Sequence, residues 1–279
     1  MTRPRISCEF FPPRDASGRD KLVANVAGKL AKLDPEFFSV TYGAGGSTRD
    51  GTQQTVEALL HAGHTAVPHL SMGGADEDSV KQLLDQYKAA GVTRIVTLRG
   101  DLPSGFGNVF AYNAETLVRL IREHCADSFE LIVASYPEVH PDATSMSQDL
   151  DYLQRKIDAG ADSTITQYFY NADAYSDFME RCQARGISIP VVAGVMPITN
   201  HESLVRFSNK CGAEIPRWLN YALSDYSADK GDDLVKFGVE VVTNMCQRLL
   251  DMGAPGFHFY TLNRWGSTTR ICENLQLVG

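Results

Sequence analysis

Ionisable and aromatic side chains stand at the ends of short apolar runs along this chain, in positions suited to acid–base chemistry. Glu9 lies in SCEFFPPRD, between Cys8 and Phe10 and just before a Pro-Pro turn. Apolar neighbours disfavour the charged form of a carboxyl group, and a protonated carboxyl group is what a general acid requires. The segment therefore predicts a general acid at Glu9, with a structural pair between Glu9 and Arg14 as the alternative.

Three glycines follow the second apolar run in SVTYGAGGSTRDGT, where backbone amides could approach a ligand closely. The spacing differs from G-x-G-x-x-G because Thr48 takes the place of the last glycine, and no GK[ST] of a P-loop is present. The segment is equally consistent with a ligand-binding loop and with a tight turn between strand and helix.

Two further loops carry charged and aromatic groups. Arg99 and Asp101 flank Gly100 in TLRGDLP, where a cation and an anion could address different parts of one ligand. An Arg in that position suits a phosphate or a flavin ring edge, and a mutual salt bridge is the alternative. In SYPEVHPDA, Tyr136 and His140 lie on a loop stiffened by two prolines and could stack on or hydrogen-bond to a heterocycle.

Several classes of function find no support. His61, His64 and His69 lack a matching carboxylate cluster, so we expect no metal site. No G-x-S-x-G or Cys-His signature indicates a hydrolase. The formal net charge of −8, without a dense basic block, argues against nucleic acid as a partner. The six cysteines are scattered without a C-x-x-C pair, which predicts free thiols in a reducing compartment.

The elements that position these residues follow from an alternation of short β-branched or aromatic runs with longer amphipathic stretches. This alternation predicts repeated βα units around a parallel sheet. Eight parallel strands favour closure into a (β/α)8 TIM barrel, because closure removes two exposed edges. A doubly wound open sheet is the competing architecture, but the first run lacks the usual G-x-G-x-x-G turn. The eight predicted strands are 6–11, 37–42, 65–71, 94–100, 130–136, 163–169, 190–196 and 256–262.

The interval from Pro197 to Pro255 is the longest and predicts extra helices between strands 7 and 8. No linker or low-complexity tract interrupts the chain, so we expect residues 1–279 to form a single domain. No signal peptide or membrane span is legible, which predicts a cytoplasmic protein without a membrane partner. The barrel would gather the strand-end groups on one face, where they suit a large, partly anionic heterocycle.

Eight motifs, in order from about residue 7 to residue 265, resemble the motif series of the methylenetetrahydrofolate reductase family. They are SCEFFPPR, SVTYGAGGSTRD, PHL, LRGDLP, YPEVHPDA, ITQYFY, GVMPITN and FHFYTLNR. The resemblance implies a barrel that binds FAD without a Rossmann fingerprint and reduces 5,10-methylenetetrahydrofolate to 5-methyltetrahydrofolate. It implies that NADH or NADPH first reduces the flavin and leaves, and that the folate then accepts the hydride. Similarity to short bacterial members favours NADH, a homo-oligomer and a part in methionine synthesis.

The same resemblance implies roles for individual residues. Glu9 resembles the acid that protonates folate N10, and Asp101 resembles the carboxylate that stabilises the resulting cation beside the flavin. Gln167, Phe207 and Arg264, together with Asp101, resemble contacts of the folate or the nicotinamide dinucleotide. The implied FAD contacts are Thr41, Tyr42, Ala44, His69, Arg99, Gly100, Asp101, Tyr136, His140, Ala143, Asp149, Arg155 and Lys156.

Two other functions stay open at this stage. One is a related FAD barrel that oxidises a cyclic amine such as proline, and the other is a folate-binding barrel reduced by a partner protein. Glu9 favours the folate reductase, because opening the folate ring needs an acid at that place. The chain reaches Gly279 without the long regulatory region of animal and fungal members, so we do not expect inhibition by S-adenosylmethionine.

Overall fold

Eight parallel strands form the centre of the protein in a computed structural model, which describes residues 3–42, 49–72, 76–100, 113–226 and 231–278. The strands follow one another around a closed barrel in chain order, and the last pairs with the first. The predicted (β/α)8 TIM barrel is confirmed, and the doubly wound alternative is wrong. The strands are β1 (Arg5–Phe10), β2 (Phe37–Val40), β3 (Ala66–Leu70), β4 (Arg94–Thr97), β5 (Glu130–Ser135), β6 (Ser163–Thr166), β7 (Val191–Val195) and β8 (Gly256–Tyr260).

Helices connect the strands around the outside of the barrel. The first connection departs from a regular α-helix, because π-helical turns (Leu22–Ala27) and a 3-10 turn (Ala31–Leu33) flank α2. As predicted, extra helices (α8, α9 and α10) lie between β7 and β8. In the described part of the chain, no helix combines the length and apolar character needed to cross a membrane. The helices are α1 (Ala16–Lys21), α2 (Gly28–Leu30), α3 (Arg49–His61), α4 (Glu77–Ala89), α5 (Ala114–Cys125), α6 (Met146–Asp158), α7 (Ala172–Ala184), α8 (His201–Cys211), α9 (Arg217–Ser224), α10 (Gly231–Asp251) and α11 (Gly266–Asn274).

The apolar core has an outer and an inner part because side chains alternate across each strand. On β1, Cys8 and Phe10 belong to the large cluster between barrel and helices. Burial of a phenylalanine side chain such as that of Phe10 stabilises a fold by about 1.5–3 kcal/mol. A smaller cluster comprises Phe37, Val67, Val96, Ile132 and Ile165, one residue from each of β2 to β6. All six cysteines are free thiols, as predicted.

Candidate active site

Glu9 lies between two histidines near the carboxyl ends of the strands. Its Oε2 atom is 3.5 Å from Nε2 of His69 on β3 and 3.7 Å from Nε2 of His258 on β8. Glu9 is 9% exposed, His69 7% and His258 1%. The alternative that paired Glu9 with Arg14 is therefore wrong, since the carboxyl group faces two imidazoles inside the barrel.

The imidazole of His69 is held in its neutral form by its surroundings. Burial lowers the pKa of His69 to about 4, although nearby Glu9 acts in the opposite direction and His258 adds to the lowering. Among the described residues, His69 Nε2 has no hydrogen-bond partner. At neutral pH His69 is therefore uncharged, and its Nε2 faces Glu9 without a hydrogen bond among the described residues.

A second set of contacts fixes His258 from the interior of the barrel. Ser7 Oγ lies 2.7 Å from His258 Nδ1, and Ser39 Oγ lies 3.5 Å from His258 Nε2. Sequence reasoning selected neither serine. The available signal was the two-residue period of β1, which places Ser7 on the same side of the strand as Glu9.

The loop after β5 brings together four of the residues that the resemblance assigned to FAD. The rings of Tyr136 and His140 meet edge to face with centroids 4.6 Å apart. The backbone N–H of His140 donates to Asp149 Oδ2 at 2.9 Å, and the N–H of Ala143 donates to the His140 carbonyl at 2.8 Å. Burial raises the pKa of Asp149, while the bond from His140 opposes that rise. The loop is thus a hydrogen-bonded unit that holds an aromatic pair.

Lys156 points from α6 towards the end of β5, beneath that loop. Its Nζ donates to the Ala134 carbonyl at 2.5 Å. Burial lowers the pKa of Lys156 to about 8, and Asp149 partly offsets that effect. Arg155, the neighbouring predicted contact, is exposed instead and lies with its guanidinium 5.5 Å from the Tyr152 ring centre. The structure therefore separates these two cations.

The end of β4 is joined to the β5 loop by an ion pair. Arg99 Nη2 lies 2.7 Å from Asp142 Oδ2, and this contact lowers the pKa of Asp142. Gly100 adopts φ +86°, and a Cβ atom there would lie 2.6 Å from Ser71 Oγ, so this position requires glycine. Asp101 lies outside the described residues, so its predicted role and its alternative pairing with Arg99 stay predictions.

The end of β2 supplies a buried hydroxyl. Thr41 is 4% exposed, and its Oγ1 has no hydrogen-bond partner in the described part of the chain. Its carbonyl accepts a hydrogen bond of 2.8 Å from Thr52 Oγ1, which fixes the backbone. Tyr42 follows and is half-buried, whereas Ala44 lies outside the described residues.

The predicted folate contacts come from three different elements. Gln167 follows β6, is half-buried, and its N–H donates to the Ser135 carbonyl at 2.8 Å. Phe207 on α8 is half-buried against the core. Arg264 follows β8 and is exposed. Of the three, Gln167 lines a pocket at the end of the barrel strands, next to Tyr136.

That pocket contains a carboxyl group whose environment sequence reasoning did not identify. Glu138 shares its lining with Tyr168 and Cys211, in an empty volume of about 190 Å³ that includes space open to solvent. Burial raises the pKa of Glu138 to about 7, against a hydrogen bond of 2.8 Å that its Oε2 accepts from the Glu214 N–H. Glu138 and Glu214 are 76 residues apart in the chain, so no local pattern could reveal the contact.

Among the described residues, one cluster that could hold a metal ion lies away from this face. Asp85, His124 and Cys125 have potential ligand atoms within 4.8 Å of one another, and His124 Nε2 lies 2.9 Å from Asp85 Oδ1. These residues belong to α4 and α5 on the outside of the barrel. The prediction that the protein has no metal site is not tested by this cluster.

Comparison with known proteins decides the family. The family model described as Methylenetetrahydrofolate reductase matches residues 1–276. The chain belongs to the methylenetetrahydrofolate reductase family. The resemblance that its motifs suggested is thereby confirmed, and with it the assignment as an oxidoreductase enzyme. Membership also favours the reductase over the cyclic-amine and partner-dependent alternatives.

Individual relatives cover nearly the whole chain. The 5,10-methylenetetrahydrofolate reductase of Escherichia coli is 38% identical over 271 residues, which span 97% of this chain and 90% of that protein. The enzyme of the same name from Pectobacterium carotovorum is 36% identical over 274 residues, spanning 98% and 90%. The Zea mays protein named methylenetetrahydrofolate reductase (NADH) 1 is 34% identical over 291 residues, spanning 99% of this chain and 49% of that protein.

A solved structure shares the fold. The uncharacterized protein from Clostridium thermocellum described as binding two copies of 5-methyl-5,6,7,8-tetrahydrofolic acid superposes with a TM-score of 0.72. The superposition covers 99% of this chain and 94% of that chain at 17% sequence identity. At that identity the comparison supports the barrel architecture alone.

Proposed function

We propose that the protein reduces 5,10-methylenetetrahydrofolate to 5-methyltetrahydrofolate, with FAD as its cofactor and NADH as its electron donor. The observation that carries this proposal is the enclosed carboxyl group of Glu9, set between His69 and His258 near the ends of the strands in a barrel of this family. NADH is preferred over NADPH because the Zea mays relative is named for NADH.

The described residues fit a large polar cofactor at this face. Buried polar atoms normally have hydrogen-bond partners, yet Thr41 Oγ1, His69 Nε2 and Ser135 Oγ have none within the described ranges. They follow or lie near the ends of three different strands, β2, β3 and β5. A bound ligand could satisfy them, since ligands of TIM barrels bind at this face. Arg99 and Lys156 nearby would suit the anionic pyrophosphate of FAD.

When bound, FAD would accept a hydride from NADH and pass it to the folate, so the two substrates would react in turn at one place. Glu9 would protonate folate N10, so that the bond between N10 and the one-carbon unit breaks with its electron pair left on nitrogen. His69 and His258 would orient the Glu9 carboxyl group. Asp101 would stabilise the cationic one-carbon unit, and the Gln167 amide would hydrogen-bond to the pterin.

The proposal also includes predictions about domain organisation, assembly, cellular location and the use of the product. Residues 1–279 form one domain, the chain assembles into a homo-oligomer in the cytoplasm, and its product supplies methyl groups for methionine synthesis. The FAD, folate and nicotinamide contacts predicted from the sequence, including Tyr42, Ala44, Phe207 and Arg264, belong to the same proposal.

Flavin absorption tests the central part of the proposal. The purified protein should carry a flavin spectrum or gain one on incubation with FAD. In stopped-flow mixing, NADH should bleach that spectrum faster than NADPH does, and 5,10-methylenetetrahydrofolate should then restore it. A protein that stays colourless with FAD, or whose reduced flavin is not reoxidised by the folate, would rule the proposed function out.

A further inference from the structure

Two side chains from the loop after β8 hold the backbone that carries Glu9. The backbone register of β1 and β8 runs as far as Glu9 and Tyr260. Past that point, the Thr261 hydroxyl donates to the Glu9 carbonyl at 2.6 Å. Asn263 binds Phe11 twice, because its Oδ1 accepts from the Phe11 N–H at 2.9 Å and its Nδ2 donates to the Phe11 carbonyl at 2.9 Å. These side chains extend the pairing of the two strands from Glu9 to Phe11.

The sequence explains why a side chain pairs with the backbone at this place. Phe11 is followed by Pro12 and Pro13, which have no N–H group to donate to a neighbouring strand. An asparagine amide offers a donor and an acceptor side by side, as the backbone of a strand residue does. Asn263 therefore takes the place of a strand residue opposite Phe11, at the point where β1 cannot continue its ladder.

The loop after β8 has a strained backbone that directs the Asn263 amide towards Phe11. Leu262 has φ +52° and Asn263 has φ +57°, and both values lie in the left-handed region. That region is unfavourable for leucine because its Cβ atom approaches the following carbonyl oxygen. Hydrogen bonds of 3.2 Å from the Asn263 N–H to Thr261 Oγ1 and of 2.9 Å from the Arg264 N–H to the Thr261 carbonyl hold the turn. Backbone strain of this kind is concentrated at functional sites.

We propose that Asn263 is a positioning residue that fixes Glu9 for proton transfer to the folate. The inference rests on the proposed function, in which Glu9 protonates folate N10. Glu9 is two residues before Phe11, so a shift of the Phe11 backbone moves the carboxyl group relative to the substrate. Proton transfer needs the two heavy atoms within about 2.6–3.2 Å, and a displacement of about 1 Å can slow a reaction on the order of 100-fold. Asn263 acts through the backbone of β1 and makes no contact with the reacting atoms.

The surrounding contacts separate this role from a general structural one. The backbone register of β1 and β8 covers almost the whole of both strands, so closure of the barrel does not depend on Asn263. The predicted FAD contacts lie on or after β2 to β5, or on α6, and none follows β8. Loss of the Asn263 amide should therefore slow the folate half-reaction and leave the reduction of the flavin by NADH unchanged.

Asn263→Asp makes the contact with Phe11 depend on pH. As a carboxylate, the new side chain has only acceptors, so one oxygen faces the Phe11 carbonyl and the two repel; once protonated, it has a donor and an acceptor and restores both hydrogen bonds. Stopped-flow mixing would measure reoxidation of NADH-reduced flavin by saturating 5,10-methylenetetrahydrofolate. We expect Asn263→Asp to be slower than the wild type by on the order of 10- to 100-fold at about pH 8 and by about threefold or less at about pH 5. Reduction of the flavin by NADH should stay within about twofold of the wild type at both pH values.

Two control variants isolate the contact with Phe11. Asn263→Gly accepts the same φ but has no amide, so its deficit relative to the wild type should be equal at both pH values. Asn274→Asp, which changes an exposed amide on α11, should match the wild type at both.

A deficit in Asn263→Asp that does not shrink at low pH, a wild-type rate in Asn263→Gly, or equal loss of both half-reactions would overturn the positioning role. If Asn263→Gly does not fold, the pH dependence of Asn263→Asp decides alone. If the folate fails to reoxidise the reduced wild type, the proposed function itself is wrong, and the role of Asn263 falls with it.

Discussion

The two ends of the barrel differ in how their charged and polar groups are paired. At the amino-terminal mouth, charges are matched: Arg5 pairs with Glu36 at 2.8 Å, and Arg94 pairs with Glu130 at 2.6 Å. At the carboxyl end, Thr41 Oγ1 and His69 Nε2 are buried without a hydrogen bond among the described residues. Unmatched buried polar atoms lower stability. The difference indicates that one end is built for stability and the other for binding a ligand, as in barrel enzymes generally.

The largest effect expected at the carboxyl end is that of Glu9→Gln. The amide keeps the shape of the side chain but cannot donate the proton that the folate needs. We expect reoxidation of reduced flavin by 5,10-methylenetetrahydrofolate to slow by on the order of 10³-fold, and flavin reduction by NADH to stay near normal. Stopped-flow measurement of the two half-reactions checks this. Equal loss of both would remove the acid role from Glu9.

Asp101→Asn should have a smaller effect on the same half-reaction. The substitution removes the negative charge proposed to stabilise the cationic one-carbon unit, and it keeps a polar side chain of similar size. We expect the folate half-reaction to slow by roughly 10- to 100-fold while FAD stays bound. The turnover number and the flavin content per chain measure the two parts. An unchanged turnover number would show that Asp101 does not act on the reacting centre.

Two arginines allow a direct comparison of the two ends. Arg94 pairs with the partly buried Glu130, whereas Arg99 pairs with the more exposed Asp142. For Arg94→Met we expect the free energy of unfolding to fall by about 1–3 kcal/mol with unchanged FAD affinity. For Arg99→Met we expect a change of stability below about 0.5 kcal/mol, and FAD binding weaker by on the order of 10-fold.

Urea unfolding and titration with FAD measure these quantities on each variant. Each arginine variant serves as the control for the other, because both remove one charge near a strand of the same sheet. If both variants lose stability and both keep FAD affinity, Arg99 does not contribute to FAD binding at the carboxyl end.

Much of the fold was predictable because it repeats. Alternating runs marked all eight strands. The first strand begins and ends one residue earlier than predicted, and the other seven are shorter than predicted because residues such as Thr41 and Gln167 lie in the loops that follow them. The π-helical turns from Leu22 to Ala27 could not be predicted, because the spacing of apolar residues does not specify backbone hydrogen bonds.

The site was less predictable, because its contacts join distant parts of the chain. The motifs selected Glu9 and His69 individually, but the contact between Ser7 and His258 spans 251 residues. It exists because β8 pairs with β1 when the barrel closes, with Ser7 opposite His258 in register. A sequence pattern can place each residue on an inward-facing position. Only the closed sheet shows which inward-facing residues meet.

The smallest effect that we expect concerns Glu138, at the carboxyl end. Burial raises the pKa of this carboxyl group to about 7, so the folded chain binds its proton more tightly than the unfolded chain does. The free energy of unfolding should therefore fall as pH rises from about 5 to about 7. Because Glu138 is partly exposed, we expect a contribution of only about 1 kcal/mol.

Glu138→Gln should remove this contribution, since the amide does not titrate. Urea unfolding at several pH values between 5 and 8 should give a flatter dependence for Glu138→Gln than for the wild type. Glu123→Gln, which changes an exposed carboxylate on α5, is the matched control and should keep the wild-type slope. Parallel curves for Glu138→Gln and the wild type would mean that this carboxyl group ionises as freely in the fold as in the unfolded chain.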